Sequence, residues 1–431
     1  MNFKKALTLG CGACLVAACF FIRPLRFVEN IFYDLNFSRA AASNQDSVVI
    51  VGIDPESIGT IGAWPWPRST IAACIEKINA ASPAALAIDI LFPKRPDDSA
   101  GTARLAKALC NAGKLVLPFR ARSFSSNEQG ITAAPQGFVY AQRLLMTMNR
   151  EKLPNTHFFK ADCFDASDSL LCACAARGGV INVTTSTSTQ KLRQVVQIIQ
   201  NAEEYYPSFS LSAAAEFLQC KPEELALDGA GFVRVKDRRV PLSTYAATTP
   251  VHFRGRSGAI TTVPASRVLS DPAALSVLHN KLVFIGVTDA ATGVDFFTTP
   301  AGSQFPGVEM WATAALDILQ KSWIREEAAA PDICNLVWAL LMFPGLLTIP
   351  GLKKGALLAV VSVMAALSIG AGPLCMRSWL YFWNPVYHIV AWVACIFIVA
   401  ARKNIPFLAD DARLDFSAPG GQDATAIWKK H

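Results

Sequence analysis

The sequence has little charge and very little histidine. Of its 431 residues, 17% are charged and five are histidine, whereas 52% are hydrophobic. The mean hydropathy is +0.31, and soluble domains usually carry about 25% charged residues. This balance excludes an intrinsically disordered chain and argues against a wholly soluble enzyme.

Sequence patterns for metal, cofactor or hydrolytic chemistry are also lacking. The histidines and cysteines form no cluster with metal-ligand spacing, and no histidine belongs to a recognisable Ser–His–Asp arrangement. We therefore assign no cofactor, no metal and no catalytic residue, and expect that the chain is not an enzyme. Residues 27–330 carry no net charge, so nothing favours nucleic-acid binding.

Four long apolar runs are present. Each has about 17–18 residues, the short end of what crosses a bilayer, and each is predicted to be a transmembrane helix. The runs are residues 6–22, 333–349, 355–372 and 385–401. They divide the chain into an N-terminus with the first membrane helix (1–26), an extracytoplasmic domain (27–330), three membrane helices (331–401) and a short cytoplasmic tail (402–431).

Basic residues beside the apolar runs predict the orientation. Lys353–Lys354 and Arg402–Lys403 flank the last helices, so these positions are expected in the cytoplasm of a bacterium. Four crossings then place the N-terminus there too, and residues 27–330 face the periplasm or the exterior. A cleaved or lipidated N-terminus at Cys19 is the alternative, because residues 16–19 resemble a lipobox.

Strand-like and helix-like stretches alternate through residues 27–330. Residues 48–53 and 281–287 are continuous apolar runs typical of buried strands, and residues 69–81 have helical spacing. The alternation predicts an α/β domain with a mixed, largely parallel sheet. Residues 120–178 have the weakest pattern and are expected to form an insertion or long loop. Further predicted strands and helices are residues 85–91, 102–112, 114–119, 179–184, 208–218, 232–242 (a hairpin), 251–254 and 307–321.

Six short segments, in the same order, resemble the second type of CHASE sensor domain (cyclases/histidine kinases associated sensory extracellular). They are Trp64-Pro65-Trp66-Pro67-Arg68, residues 87–92 (AIDILF), 178–183, 206–209 (YPSF), 251–255 (VHFRG) and 281–315, which contains DFFTTP. Residues 188–196 depart from the family, because they lack its Asp-Gly pair. The resemblance implies a sensory domain outside the cytoplasm, followed by three membrane helices.

Family members usually carry a cytoplasmic cyclase or kinase. About 30 residues follow the fourth apolar run, too few to bury a catalytic core. We therefore expect a signal-input protein that senses an unknown ligand or envelope state and acts through a separate cytoplasmic cyclase or kinase. A homodimer is also expected. The alternatives are a scaffold that senses nothing and, less favoured, an extracytoplasmic enzyme.

Acidic residues follow several predicted strands. Asp54, Asp89 and Asp289 come at or near strand ends, which share one edge if the strands are parallel. Arg68 and Asp295 lie in loops of the same edge, and the predicted ligand site comprises Asp54, Arg68, Asp89 and Asp295. The alternative is structural: the acids cap helices and Arg68 forms an internal ion pair.

Two aromatic residues and several cysteines complete the candidates. Trp64 and Trp66 could stack on a ligand or pack beneath the following helix. Cys163 could pair with Cys172 or Cys174 in a small disulfide loop, whereas Cys74 and Cys110 resemble core residues.

Overall fold

A computed structural model describes residues 25–37, 47–123, 133–146, 158–184, 190–228, 231–243, 247–324, 354–386 and 389. Contacts group residues 27–327 and 371–384 into one compact unit. The following paragraphs concern that unit, and the helices Arg26–Phe37 and Lys354–Trp379 also extend outside it.

A seven-stranded sheet forms the centre of this unit. Its order is β15-β1-β16-β2-β3-β6, with β7 also paired to β3. Every pairing is parallel except that of β3 with β6. The strands are β1 (Val48–Ile53), β2 (Ala85–Ile88), β3 (Leu115–Arg122), β6 (Cys163–Ala166), β7 (Arg177–Val180), β15 (Thr262–Pro264) and β16 (Leu282–Val287). The predicted α/β class with a largely parallel sheet is confirmed.

Helices pack on both faces of the sheet. The helices of the described residues are α1 (Arg26–Phe37), α2 (Pro55–Ile61), α3 (Arg68–Ala80), α4 (Ser99–Cys110), α5 (Gln136–Ala141), α6 (Ser169–Cys172), α7 (Phe209–Phe217), α8 (Ala265–Ser270), α9 (Pro272–Ser276), α10 (Gly307–Gln320) and α11 (Lys354–Trp379). Val48 and Ile50 pack on the side of α7 and α10, whereas Val49 and Val51 pack on the side of α3 and α4. Alternate side chains of a strand point to opposite faces, so both faces are apolar and β1 is a continuous hydrophobic run.

Smaller sheets surround the central one. Their strands are β4 (Leu145–Met146), β5 (Phe159–Lys160), β8 (Gln194–Val196), β9 (Ile198–Asn201), β10 (Glu204–Pro207), β11 (Leu225–Asp228), β12 (Phe232–Val235), β13 (Arg238–Pro241), β14 (Thr248–Pro250), β17 (Phe296–Thr299) and β18 (Gly302–Pro306). β12 and β13 form the predicted hairpin around Asp237. The predicted strand at 251–254 is wrong, because those residues follow β14 without forming a strand.

The expectation that residues 120–178 form an insertion or long loop is wrong for the described part. β6 and the first two residues of β7 lie in this segment, and both strands pair with β3 in the central sheet. Phe164 and Ala166 of β6 are buried, so the segment contributes to the core.

The predicted membrane helices fall largely outside the described residues. Residues 355–372 lie within α11, whereas 6–22 and 333–349 are outside the described ranges, as is most of 385–401. Within the described ranges, no helix combines the length and hydropathy required for a membrane crossing.

Candidate functional site

The strand-end acids lie at the carboxyl edge of the central sheet. β16 lies between β1 and β2 and runs parallel to both. Asp54 follows β1, Asp289 follows β16, and the Asp89 N–H after β2 donates to the Ile285 carbonyl at 2.8 Å. The edge therefore brings together residues that are distant in the chain.

Two of these acids serve as helix caps. Asp54 Oδ1 accepts a hydrogen bond from Ser57 N at 2.8 Å at the start of α2. Asp289 Oδ1 accepts one from Ala291 N at 2.9 Å at the start of a 3₁₀ turn. Asp54 is not among the residues that line the cavity described next. The sequence Asp-Pro could have indicated this, because proline favours the first position of a helix, directly after the cap.

A cavity of about 400 Å³ opens at this edge, within the usual size of small-molecule sites. Its lining includes five of the six predicted site residues, all except Asp54. The polar and charged lining side chains are Arg68, Asp89, Arg95, Arg120 and Asp295. The apolar lining comes from Trp64, Pro65, Trp66, Ile71, Ile90, Leu91, Phe92, Pro93, Ile181, Val287, Val294 and Trp311.

Arg68 is a buried cation in the cavity wall. Its side chain donates hydrogen bonds to Thr102 Oγ1 and the Pro93 carbonyl, and the residue is only 2% exposed. No carboxylate of the described residues lies within salt-bridge distance of it. Desolvation, with repulsion from Arg95, lowers the pKa of Arg68.

The position of Arg68 at a helix N-terminus increases the positive electrostatic potential around its side chain. It is the first residue of α3, and Pro67 before it provides no side-chain cap. Backbone N–H groups at a helix N-terminus carry partial positive charge, which favours anions there and disfavours cations. The predicted internal ion pair of Arg68 is therefore wrong within the described residues, and its charge lacks a close counter-ion.

Asp89 and Asp295 form a carboxyl pair, in which each group shifts the pKa of the other. Burial raises the pKa of Asp89 well above its ordinary value, with repulsion from Asp295 adding to the effect. Asp295 is exposed as a residue, but its carboxyl group lies against Gly307, and burial of this group raises its pKa to about 6.

Asp295 also contacts the start of α10. Its backbone has φ of 60°, and its carbonyl accepts a hydrogen bond from Gly307 N at 2.8 Å. A Cβ atom at Gly307 would lie 1.9 Å from Asp295 Oδ2. Only glycine at this position leaves room for the carboxyl pair. Trp311, one turn further along α10, lines the cavity.

Comparison with known families identifies the domain. A family model for the CHASE2 domain matches residues 12–349, well over half of the chain. The chain belongs to the CHASE2 domain family. This is a family of sensor domains that lie outside the cytoplasm. Comparisons with curated proteins and with solved structures gave no significant match.

Segments that carried the family resemblance meet at the cavity of this CHASE2 domain. Trp64 to Arg68 lead into α3, Asp89 belongs to the AIDILF segment, and Asp295 opens DFFTTP.

Sequence reasoning missed Arg95, Arg120 and Trp311. Arg120 lies on β3 and contacts Asp165 at 3.0 Å, and Arg95 lies in the loop that precedes α4, so neither belongs to a segment that stood out in the sequence.

The two tryptophans of the CHASE2 motif differ in environment. Trp66 is 4% exposed, and its Nε1 donates to the Gly62 carbonyl at 2.7 Å. Trp64 is half-buried and packs edge-to-face on Trp66 with ring centroids 5.5 Å apart. Trp66 thus has mainly a packing role, and Trp64 is the more available to a ligand.

The predicted disulfide partners are wrong. Cys174 bonds to Cys110, whereas Cys163 and Cys172 are free thiols. Cys110 ends α4 and Cys174 follows α6, and these helices pack together. Cys163 instead lies on β6, where its strand pairs with β3. Among the described residues, no three His, Cys, Asp or Glu side chains are placed to hold a metal ion.

Proposed function

We propose that this protein is a signal-input protein of a bacterial cytoplasmic membrane, in which the CHASE2 domain binds a small extracytoplasmic ligand. The cavity at the carboxyl edge of the central sheet carries the proposal. It has the volume and mixed lining of a ligand site, and segments typical of the family converge on it. The proposal assigns no catalysis to the chain.

The Cys110–Cys174 disulfide supports an extracytoplasmic location. Disulfides persist in oxidising compartments and are rare in the cytosol. This agrees with the orientation predicted from the basic residues beside the apolar runs.

Helix α10 provides a route from the cavity towards the chain segment that enters the membrane in the sequence prediction. Its first residue contacts the Asp295 carboxyl group, and its Trp311 lines the cavity. Its 14 residues span roughly 21 Å at 1.5 Å per residue. Near its end, Asp317 pairs with Arg254 at 2.7 Å in a buried contact. A ligand that shifts Asp295 or Trp311 would therefore act on a helix fixed at its far end.

The receiver of the signal is proposed to be a separate cytoplasmic cyclase or kinase. A homodimer, in which two copies move against one another, is proposed as the signalling unit. Both proposals rest on the family and on the sequence prediction.

A small-molecule thermal-shift screen of the full chain in detergent tests the ligand proposal. A ligand that binds the native state raises the unfolding temperature by mass action. Each hit is then tested on Val294→Trp, which fills the cavity from an exposed lining position, and on Val277→Trp, a matched exposed valine outside the cavity.

The proposal predicts that hits are lost in Val294→Trp and kept in Val277→Trp. Hydrogen exchange should also show that bound ligand protects α10. Hits that survive Val294→Trp, or a screen with no hits, would contradict ligand sensing in this cavity and favour the scaffold alternative.

A further inference from the structure

The geometry points to a small organic anion with an apolar body and a hydrogen-bond donor as the ligand of this cavity. This inference deepens the proposed function and rests on it. Its basis is the set of charged and apolar side chains that line the cavity.

Three arginines line the cavity. Arg68 is buried without a carboxylate in contact, and Arg95 is an exposed lining residue that forms no salt bridge within the described residues. Arg120 shares the single carboxylate of Asp165 with Arg122, at 3.0 and 3.1 Å. Three guanidinium groups therefore line the cavity, and that of Arg120 forms an ion pair with Asp165.

The acidic residues near Arg68 do not form ion pairs with its guanidinium group. Asp98 accepts a hydrogen bond from Gly101 N at 3.0 Å, and Asp168 accepts one from Leu170 N at 3.0 Å. Both carboxylates are thus directed to helix N-termini. A desolvated cation without a contacting counter-ion is costly, and a bound anion would remove much of that cost. A guanidinium group binds carboxylate or phosphate oxygens in a bidentate geometry.

The remainder of the wall sets the other two features of the ligand. Trp64, Phe92 and Ile90 offer apolar surface, which favours an aliphatic or aromatic body. The carboxyl groups of Asp89 and Asp295 also line the cavity, so an anionic group of the ligand would be repelled if it lay beside them. Their carboxyl oxygens can accept a hydrogen bond from a ligand hydroxyl or amine.

The test uses three matched probes of nearly equal size on the full chain in detergent. These are 4-hydroxyphenylacetate, its neutral analogue 4-hydroxyphenylacetamide and its cationic analogue tyramine, with inorganic phosphate as an anion that lacks an apolar body. Thermal shift and calorimetric titration at millimolar concentrations give stabilisation and affinity. We expect the order to be 4-hydroxyphenylacetate first, with the amide, tyramine and phosphate at least tenfold weaker.

Two arginine variants assign the binding to the cavity. Arg95→Gln changes an exposed side chain, so its fold should be preserved, and it should weaken the anion about tenfold or more, as expected for a lost charge-assisted hydrogen bond. Arg256→Gln, an exposed arginine outside the cavity lining, is the control and should leave affinity unchanged.

The outcomes separate this inference from the proposed function. If the amide or tyramine binds as well as the anion and Val294→Trp abolishes that binding, the anion inference is overturned while the sensor cavity stands. If phosphate binds as tightly as 4-hydroxyphenylacetate, the inference that the ligand has an apolar body is overturned. Equal effects of the Arg95 and Arg256 variants place any anion elsewhere. If none of the four probes binds, the anion inference fails. If the small-molecule thermal-shift screen also gives no hits, the proposed function fails as well.

Discussion

Two buried arginines of this domain have opposite electrostatic environments. Arg254 forms an ion pair with Asp317 at 2.7 Å, with 0% and 5% of the two side chains exposed. Arg68 is equally enclosed but has only neutral hydrogen-bond partners. The difference supports a structural role for Arg254 and agrees with the ligand-binding role that we propose for Arg68.

This contrast predicts different effects of the same substitution. Arg254→Met leaves Asp317 as an unpaired buried carboxyl and should lower the free energy of unfolding by about 3–5 kcal/mol. Arg68→Met removes an uncompensated charge, and Thr102 keeps its bond to the Asp98 carbonyl. We expect it to change the free energy of unfolding by less than about 1 kcal/mol or to increase it.

Urea unfolding of the ligand-free full chain, followed by tryptophan fluorescence, measures both variants. Equal, large losses in the two variants would make Arg68 a structural residue and contradict the assignment of its charge to a ligand.

The Asp89–Asp295 pair predicts a pH dependence of stability. Asp295 has a pKa of about 6 in the folded domain against an ordinary value of 3.8. Between these values the folded state binds more protons than the unfolded chain, so the free energy of unfolding falls as pH rises through this window. Asp295→Asn should therefore reduce the loss of stability on going from pH 4 to pH 6.

The comparison variant is Asp289→Asn outside the carboxyl pair, because the Asn side-chain oxygen can still cap the turn, and it should keep the pH dependence of the unmodified protein. Burial also raises the pKa of Asp317 to about 6 and that of Glu309 above its ordinary value, so part of the slope remains in every variant. Identical pH profiles for the Asp295 variant and the unmodified protein would show that the pair does not titrate as described.

At the scale of elements, α10 meets the cavity at its first residue, where Gly307 lies against the Asp295 carboxyl group. Gly307→Ala would place a methyl group on the Asp295 carboxyl group, which would separate the pair or displace the helix. We expect a loss of roughly 1–3 kcal/mol, as for other overpacked positions. Gly59→Ala in α2 is the matched helical control, because a Cβ there meets nothing within 4 Å.

The control should gain about 0.5–1 kcal/mol, because glycine is a poor helix former. Thermal unfolding of both variants decides the matter. A Gly307 variant as stable as the unmodified protein would mean that the carboxyl group can move away without cost, and α10 would lose its proposed role as the transmitting element.

Elements with strong hydrophobic patterns were predictable from the sequence, whereas the bounds of a short glycine-containing strand were not: the strand predicted at 179–184 overlaps β7 in two residues. β1 and β16 are continuous apolar runs and were identified almost to the residue. β7 contains Gly178 and Gly179, which weaken any strand pattern. Gly179 is needed because a Cβ there would lie 2.4 Å from the Cα of Phe209 on α7. Close helix packing thus requires a residue type that made the start of the strand hard to recognise.

The sequence predicted only those residues of the candidate site that lie at or near the ends of predicted strands. The common edge of Asp89 and Arg68 followed from parallel strands and a short loop. The pairing of Asp89 with Asp295 depends on the left-handed backbone at Asp295 and on the space at Gly307. The Cys110–Cys174 bond joins residues 64 positions apart, and this proximity arises from the packing of α4 on α6, which spacing in the sequence does not reveal.

At the scale of the whole molecule, the proposal requires the CHASE2 domain and the C-terminal tail to lie on opposite sides of a membrane. Lys353–Lys354 and Arg402–Lys403 border apolar runs, and such basic clusters remain on the cytoplasmic side. A fluorescent protein fused after His431 should therefore fluoresce in the cytoplasm, and alkaline phosphatase inserted after Ser125 should be active in the periplasm. Substituting all four basic residues with glutamine is the control, because it removes the charge bias and should produce mixed orientations. An active phosphatase fused after His431 in the unmodified chain would contradict four crossings, and the signal would then need a receiver outside the cytoplasm.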